Sequence, residues 1–205
     1  MLSSIVIAGV GGQGTLLASK ILSTAAQKRG LFVRTSETIG MAQRGGCVSS
    51  HLRMGLEEIS PVIPLRHADI LIGFEPAEAA RQINRLRPDA SAVVNTDCII
   101  PTNVALRMGE YNCDQYIEAL KANIGRVFFI QAAPLAIKAG DARTLNMVLL
   151  GFSSGAGLLP FSGPEIAGAM ECCIRPGLLE MNRKAFMLGA EEAGNIRSEI
   201  DVLNK

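Results

Sequence analysis

The feature that most constrains the fold is GVGGQGT, which sets four glycines within six positions (9–14) directly after a short apolar run. Glycine permits positive φ and a close approach of a ligand to the backbone. The spacing of Gly9, Gly11 and Gly14 matches G-x-G-x-x-G, the fingerprint of dinucleotide-binding folds. The first N–H groups of a following helix favour an anion. The stretch therefore predicts a strand-to-helix turn that binds a phosphate-type ligand. A turn that needs glycine only for packing is the alternative.

The residues around this turn predict a β-α-β unit over residues 5–37. Residues 5–8 form a short apolar run, typical of a strand buried on both faces. Residues 15–30 carry one apolar stripe and end in a basic turn before a glycine, which predicts a helix. Residues 31–37 predict a second strand, reached by a right-handed crossover. Glu37, at the end of this strand, takes the place of the ribose-binding acid in a dinucleotide site.

A segment of period two then interrupts the alternation of strands and helices. In VSSHLRM the two faces are Val48, Ser50, Leu52 and Met54 on one side and Ser49, His51 and Arg53 on the other. This pattern predicts a half-exposed strand or hairpin within residues 47–63, antiparallel to the main sheet. His51 then belongs to a polar face, and His67 is interpreted as a structural or loop histidine.

Alternation resumes after this excursion and defines the fold class. Strands are predicted at residues 68–74, 91–97 and 126–132, with helices at 75–88 and 114–125. From Pro134 onward the chain is predicted to be helical, with a capping box formed by Ser162 and Glu165 and a last helix near residues 178–193. We therefore predict a single domain over residues 1–205. Its class is α/β, a three-layer α/β/α fold with a mostly parallel, Rossmann-like mixed sheet and a helical C-terminal third.

Composition excludes several function classes. A net charge of +1, no Trp and two Tyr do not favour nucleic-acid binding. No run of about 18 apolar residues predicts a membrane span, and no basic leader precedes the first apolar run, so we expect a cytoplasmic protein. The five cysteines, at positions 47, 98, 113, 172 and 173, have no metal-ligand spacing. We expect free, mostly buried thiols in a reducing compartment and no metal site.

A second glycine-rich loop, MAQRGG, follows the predicted second strand. Loops at the carboxyl ends of parallel strands bind ligands in α/β folds, so we expect Arg44 to reach an anion beside the first turn. An Arg44 that is solvated, or paired with a carboxylate at a subunit contact, is the alternative. No catalytic residue is identified. The candidate cofactor-binding residues are Gly11, Gly12, Gln13, Gly14, Thr15, Gln43, Arg44, Gly45 and Gly46.

Three segments carry a resemblance to a known family. GVGGQGTLLASKIL, SETIGMAQRGGCVSSHLRMG and TLNMVLLG (144–151) together resemble the gamma domain of 2-oxoacid:ferredoxin oxidoreductases. The resemblance covers essentially the whole chain and is nearest to the separate beta subunits of the indolepyruvate enzymes. Its specificity lies in the combination of G-x-G-G-Q-G with S-E-x-x-G-M-A-Q-R-G-G about 25 residues later.

The resemblance implies a non-autonomous enzyme subunit. The reaction implied is thiamine-dependent oxidative decarboxylation of an aryl 2-oxo acid, such as indolepyruvate, to an acyl-CoA, with electrons passed to ferredoxin. Thiamine diphosphate, Mg and 4Fe-4S clusters are then expected in a partner alpha subunit, in an alpha2-beta2 assembly, so this chain should be inactive alone. Its sequence has neither a G-D-G thiamine motif with paired asparagines nor a ferredoxin-like cysteine run. We expect the glycine turn and Arg44 to frame a pocket for a phosphate of coenzyme A.

Two other functions stay open at this point. An NAD(P)-binding Rossmann oxidoreductase is favoured by G-x-G-x-x-G and Glu37, but no part of the chain resembles a substrate domain. A purely structural subunit would use the same glycines only to pack against its partner.

Overall fold

A computed structural model of the chain describes residues 3–39, 45–100, 104 and 111–203, which form a six-stranded mixed sheet between helices. The strands are β1 (Ser3–Val10), β2 (Phe32–Ile39), β3 (Cys47–Gly55), β4 (Ala68–Gly73), β5 (Leu86–Asn95) and β6 (Arg126–Ile130). The helices are α1 (Thr15–Lys28), α2 (Pro76–Ala80), α3 (Cys113–Asn123), α4 (Ala132–Ala139), α5 (Leu145–Gly155), α6 (Gly163–Cys173) and α7 (Pro176–Leu203). The predicted α/β class, mixed sheet and helical C-terminal third are confirmed.

The order of the strands in the sheet is β2-β3-β1-β4-β5-β6. Strands β1, β4, β5 and β6 are parallel neighbours, whereas β3 pairs antiparallel with both β1 and β2. Strands β1 and β2 therefore run in the same direction, as predicted for a β-α-β unit, but β3 lies between them. The antiparallel direction predicted for the period-two segment is confirmed.

The prediction that β3 is half exposed is wrong. His51 is 5% exposed and Arg53 is 9% exposed, although both are on the face that was predicted to be polar. The cause is position, because β3 is hydrogen-bonded on both edges and covered on both faces. Helix α1 packs on one face. On the other face the Arg53 guanidinium donates to the Ser60 carbonyl at 3.0 Å, in the segment that follows the strand. The strand also ends at Gly55, so residues 56–63, which were included in the predicted strand or hairpin, do not form part of it.

The helix predicted over residues 75–88 is shorter than expected. It consists of α2 and a single 3-10 turn, Ile83–Arg85, after which β5 begins at Leu86. The register between β4 and β5 shifts between Ala68 and Ile70, which leaves the stretch around Pro88 out of the regular ladder. A proline has no N–H to donate, and such an irregularity accommodates it within a strand.

Two apolar cores lie on the two faces of the sheet. Strand β1 contributes to both, with Ile5 and Ile7 on one side and Val6 and Ala8 on the other, all four at most 1% exposed. The first core is covered by α1, α4, α5, α6 and α7. The second is covered by α2, α3 and the segment around Ile63. A strand that is apolar on both faces thus holds the centre of a three-layer fold, as its sequence predicts.

The C-terminal helices keep the predicted start signals. Ser162 and Glu165 form the predicted capping box at the start of α6. Arg29, at the end of α1, makes a two-pronged ion pair with Glu165 and so joins the two helices. Hydrogen bonds from Arg29 first, and then from Ser162, lower the pKa of Glu165 to about 2. The last helix is longer than predicted, since it extends from Pro176 to Leu203.

The cysteines differ from the expectation of free, mostly buried thiols. Cys98 and Cys113 form a disulfide, with Cα atoms 6.3 Å apart. Of the three free thiols, Cys47 and Cys172 are exposed and Cys173 is half-buried. Pairing between residues 15 positions apart depends on how β5 and α3 are placed, which spacing alone does not reveal. Across the described residues, no helix has the length and apolar character that a membrane span requires.

Candidate functional site

The glycine turn joins the carboxyl end of β1 to the first turn of α1. Gly12 and Gly14 have φ values of +105° and +81°, which side chains rarely adopt. Gly14 is the N-cap of α1 and provides no side-chain cap. Among the described residues, no acceptor pairs with the backbone N–H groups of residues 12 and 14–17. Together with the positive end of the helix dipole, these donors give the turn the chemistry of an anion site.

The side chain of Gln13 braces the turn from inside. Its Oε1 accepts a hydrogen bond from the Val10 N–H at 2.7 Å, and its Nε2 donates to the Phe74 carbonyl at 3.0 Å. A Cβ atom on Gly9 would lie 2.8 Å from Gln13 Oε1 and 2.8 Å from Phe74 Cβ, so this position has no room for a side chain. The structure therefore gives Gln13 a positioning role, and direct contact with a ligand stays a prediction.

The second glycine segment lies against the first. The Gly11 N–H donates to the Gly46 carbonyl at 2.8 Å, and the Gly45 N–H donates to the Gly11 carbonyl at 3.4 Å. The two predicted glycine segments are thus brought together at the carboxyl end of β1. Gln43 and Arg44, which the sequence nominates for anion binding, lie outside the described residues.

An open cavity of about 500 Å³ lies over the turn. Its lining residues are Gly11, Gly12, Gly14, Thr15, Leu16, Leu17 and Val48. None of these residues carries a charge, so the polar groups that the cavity offers are chiefly backbone amides. Four of the nine predicted site residues line it. Sequence reasoning missed Leu16, Leu17 and Val48, although Leu16, which is 40% exposed in the first turn of α1, is an apolar residue at a solvent-facing position.

Two buried asparagines support the turn, and neither was nominated from the sequence. The Asn146 Nδ2 atom donates to the Gly14 carbonyl at 3.2 Å, and a Cβ on Gly14 would collide with this side chain. Asn95 bridges two elements, since its Nδ2 donates to the Phe74 carbonyl at 3.1 Å and its Oδ1 accepts from the Ala132 N–H at 3.0 Å. Both asparagines are at most 2% exposed. The sequence did contain a signal for each of them, since Asn146 is an amide residue within the apolar run of α5 and Asn95 is an amide residue at the end of β5.

The sheet order bears on the dinucleotide interpretation. In that interpretation Glu37 would follow a strand adjacent to β1 and reach the ribose. Here β3 lies between β1 and β2, which sets the strand of Glu37 two strand spacings, about 9.5 Å, from β1. Glu37 is also exposed and lies opposite Ser50 of β3. This arrangement disfavours a nicotinamide dinucleotide at the glycine turn.

The two histidines contact nearby backbone groups and lie away from the cavity over the turn. The His51 Nδ1 atom accepts a hydrogen bond from the Ile63 N–H at 3.2 Å and so fastens the segment after β3 to the sheet. Burial, and then the charge of Arg85, lower the pKa of His51 below its ordinary value. The ring is therefore neutral at pH 7. His67 is exposed, with Nδ1 2.7 Å from the Leu65 carbonyl oxygen. Neither histidine lines the cavity over the turn.

A larger cavity, of about 730 Å³, opens at the opposite end of the parallel strands. Two arginines that line this cavity already form ion pairs within the chain. Arg87 lies 2.5 Å from Asp69 and 2.8 Å from Asp89, and Arg29 pairs with Glu165. Ligands of open α/β sheets bind at the carboxyl ends of the strands, so the cavity over the turn is the better candidate.

No group of three His, Cys, Asp or Glu side chains that could hold a metal occurs in the described part of the chain.

Comparison with known proteins decides the family. The sequence pattern of the pyruvate ferredoxin/flavodoxin oxidoreductase family matches residues 4–192. The chain belongs to this family. It is 38% identical over 191 residues to the indolepyruvate oxidoreductase subunit IorB of Archaeoglobus fulgidus, an alignment that covers 93% of this chain and 94% of that protein. The resemblance drawn from the glycine segments is thereby confirmed.

Solved structures of the family share the fold. The gamma subunit of a keto/oxoacid ferredoxin oxidoreductase from Geobacter sulfurreducens PCA superposes with a TM-score of 0.67 at 21% identity, over 93% of this chain and 98% of that one. A 2-oxoglutarate:ferredoxin oxidoreductase from Magnetococcus marinus, solved with 2-oxoglutarate, coenzyme A and succinyl-CoA bound, gives a TM-score of 0.71 at 19% identity. That match covers 95% of this chain and 31% of the larger one. With the family match over residues 4–192 and the relative from Archaeoglobus fulgidus, the chain is a small subunit of the 2-oxoacid:ferredoxin oxidoreductase family.

Proposed function

We propose that this chain is the smaller subunit of an oxidoreductase that converts indolepyruvate, or a related aryl pyruvate, to an acyl-CoA and reduces ferredoxin. The name of the Archaeoglobus fulgidus relative supports the substrate. We further propose that a larger partner subunit holds thiamine diphosphate, Mg and the 4Fe-4S clusters, as membership of the family implies. We expect an alpha2-beta2 assembly in the cytoplasm and no activity from this chain alone.

The observation that carries the role of this chain is the set of backbone N–H groups around the cavity of the glycine turn for which the described residues offer no acceptor. Five backbone donors (residues 12 and 14–17) converge at the positive end of α1 on a cavity of about 500 Å³. A phosphate group suits such donors because each oxygen accepts several hydrogen bonds and its charge is stabilised by the helix dipole. The ligand proposed for the turn is therefore a phosphate of coenzyme A, with Gly11–Gly14, Thr15, Gly45 and Gly46 as its frame.

Two further points support coenzyme A over a nicotinamide dinucleotide. The Magnetococcus marinus enzyme was solved with coenzyme A bound. In this chain β3 separates the strand of Glu37 from β1, so the acid that would bind a ribose is displaced. Arg44 directly precedes Gly45 in the sequence, and we propose that it adds a positive charge to the same anion.

A charge introduced at Leu16 tests this pocket. Leu16 lines the cavity and is 40% exposed, so its replacement leaves the core intact. In the purified complex, Leu16→Glu should raise the apparent KM for coenzyme A about fivefold, equivalent to about 1 kcal/mol of charge repulsion. Leu16→Gln is the matched neutral control and should stay within twofold of the wild type. The measurement is ferredoxin reduction at varied coenzyme A concentrations.

The same variants separate the competing functions. If Leu16→Glu and Leu16→Gln give equal KM values and the subunits of Leu16→Glu separate, the turn is a structural contact and not an anion pocket. If the purified wild-type chain binds NADH with micromolar affinity, the turn is a dinucleotide site. The proposal requires that the complex stays assembled and that the KM rises only with the negative charge.

A further inference from the structure

The disulfide between Cys98 and Cys113 lies at the same end of the sheet as the glycine turn. Cys98 follows the carboxyl end of β5 by three positions, and Cys113 is the first residue of α3. Cys98 is exposed and Cys113 is half-buried, so soluble thiols can reach the bond. The Cα separation of 6.3 Å lies within the range that a disulfide spans without backbone movement.

Each cysteine is held by contacts that do not depend on the disulfide. Before Cys98, the Thr96 N–H donates to the Ile130 carbonyl at 3.0 Å, and the Asp97 Oδ2 atom accepts from the Ala133 N–H at 3.1 Å. At the other end, the Asn112 side chain accepts from the Asp114 N–H at 3.1 Å and caps α3, whose Leu120 is fully buried. These contacts bring the two cysteines within reach of each other in the reduced form, and the disulfide adds the covalent link that fixes the start of α3 against the end of β5. Such placement suits a bond that opens and closes reversibly.

A chain of contacts leads from Cys113 to the glycine turn. Tyr111, two residues before Cys113, donates its hydroxyl to Glu75 Oε1. Glu75 is 1% exposed, and its Oε2 accepts from the Glu78 N–H at 2.9 Å. The neighbour of Glu75 is Phe74, whose carbonyl accepts the hydrogen bond from Gln13 Nε2 at 3.0 Å. Tyr111 thus stabilises a buried carboxylate directly next to the residue on which the turn is braced.

Tyr111 is suited to remain a donor at physiological pH. Burial first, and then the hydrogen bond with Glu75, raise the pKa of Tyr111 well above its usual range. Its ring lies 5.4 Å from that of Tyr116, between ring centres, on the first turns of α3. The position of Tyr111 therefore depends on how the start of α3 is fixed, and the disulfide fixes it covalently.

We propose that Cys98 and Cys113 are a reversible thiol–disulfide switch, in which the oxidised pair holds Tyr111 against Glu75 and so stabilises the polar network beneath the glycine turn. Disulfides in reducing compartments are usually transient and respond to redox conditions, which agrees with a bond accessible to solvent. This inference does not depend on coenzyme A as the ligand, and its test uses no coenzyme A.

The oxidant is a small-molecule disulfide, such as oxidised glutathione. The Cys98 thiolate attacks one of its sulfur atoms, which forms a mixed disulfide and releases one thiolate. The Cys113 thiolate then attacks the Cys98 sulfur, which forms the internal bond and releases the second thiolate. Two electrons pass from the cysteines to the small disulfide, and the two protons lost by the cysteines are taken up by the released thiolates. A dithiol reverses both steps.

The first test is a redox titration of the full-length chain. The chain is equilibrated at a series of ratios of reduced to oxidised glutathione, its free thiols are alkylated, and each cysteine is scored by mass spectrometry. Cys98 and Cys113 should lose their label together in one two-electron transition. In Cys172→Ser, which removes an exposed thiol elsewhere, the transition should be unchanged. Labelling of Cys98 and Cys113 that stays complete at every ratio, or that changes independently, would overturn the proposal.

The second test follows the structural consequence of the bond. Closing the loop between residues 98 and 113 should raise the melting temperature of the oxidised chain by about 6–12 °C over the reduced one. The chain has two tyrosines and no Trp, so Tyr116→Phe leaves Tyr111 as the sole emitter. Its fluorescence should increase on reduction by more than it does when Glu75→Gln is also present, because the disulfide quenches Tyr111 in both cases and the Glu75 carboxylate only in the first. Both changes should be absent in Cys98→Ser. Equal melting and emission in the two redox states, or a response that persists in Cys98→Ser, would refute the switch.

Discussion

The variant Gly189→Ala is expected to lower the melting temperature by about 6–12 °C, corresponding to a loss of about 3 kcal/mol in the free energy of unfolding. Helices α5 and α7 pack backbone to backbone at this point. A Cβ atom on Gly189 would overlap the Val148 carbonyl oxygen, and a Cβ on Gly151 would overlap the Phe186 carbonyl oxygen. Because backbone atoms cannot rotate away, a single methyl group forces the helices apart.

Gly194 provides the matched control for this substitution on the same helix. Apart from the adjacent turns of α7 itself, no heavy atom of the described residues lies within 4 Å of a Cβ built on Gly194, which is exposed. Gly194→Ala should therefore gain from the higher helix propensity of alanine, about 0.5–1 kcal/mol, and raise the melting temperature by about 1–4 °C. Thermal unfolding of the two variants should give shifts of opposite sign. A Gly189→Ala chain that melts with the wild type would contradict the packing described.

The second large effect is expected at Gln13. In Gln13→Leu the Val10 N–H loses its acceptor and the Phe74 carbonyl loses one of two donors, which should cost about 2–3 kcal/mol of unfolding free energy. Gln13→Glu separates the two hydrogen bonds, because a carboxylate still accepts from the Val10 N–H, whereas its other oxygen replaces the donor to the Phe74 carbonyl with a second acceptor. Urea unfolding should place both variants below the wild type. Equal stability of the Leu variant and the wild type would show that the inward amide does not brace the turn.

Local sequence signals account for much of this fold. The apolar run of β1, the stripe of α1 and the capping box of α6 predict their elements because each signal resides in adjacent residues. The glycine spacing likewise predicts the strand-to-helix turn, and Gly12 and Gly14 have the positive φ values that such a turn needs.

The burial of β3 and the distance of Glu37 from the glycine turn could not be predicted from the sequence, because both depend on the order of the strands in the sheet. Insertion of β3 between β1 and β2 turns a polar-looking face into a buried one, and it separates Glu37 from the turn. An alternating pattern of apolar and polar residues does not reveal whether a strand lies at the edge or in the interior of a sheet. It also does not reveal whether another segment of the chain packs on the polar face and removes it from solvent. The supporting role of Asn146 was missed, and Cys113 was wrongly expected to be a free thiol, for a similar reason. Their partners, Gly14 and Cys98, are met only after the chain has folded.

The most direct test of the proposed function is ferredoxin reduction by the reconstituted complex. This chain and the larger partner subunit proposed for it would be purified separately, and the rate measured with indolepyruvate and coenzyme A for each alone and for the mixture. We predict negligible rates for either chain alone and a rate in the mixture that saturates with coenzyme A. A partner that reaches the full rate and the same coenzyme A dependence without this chain would contradict the account.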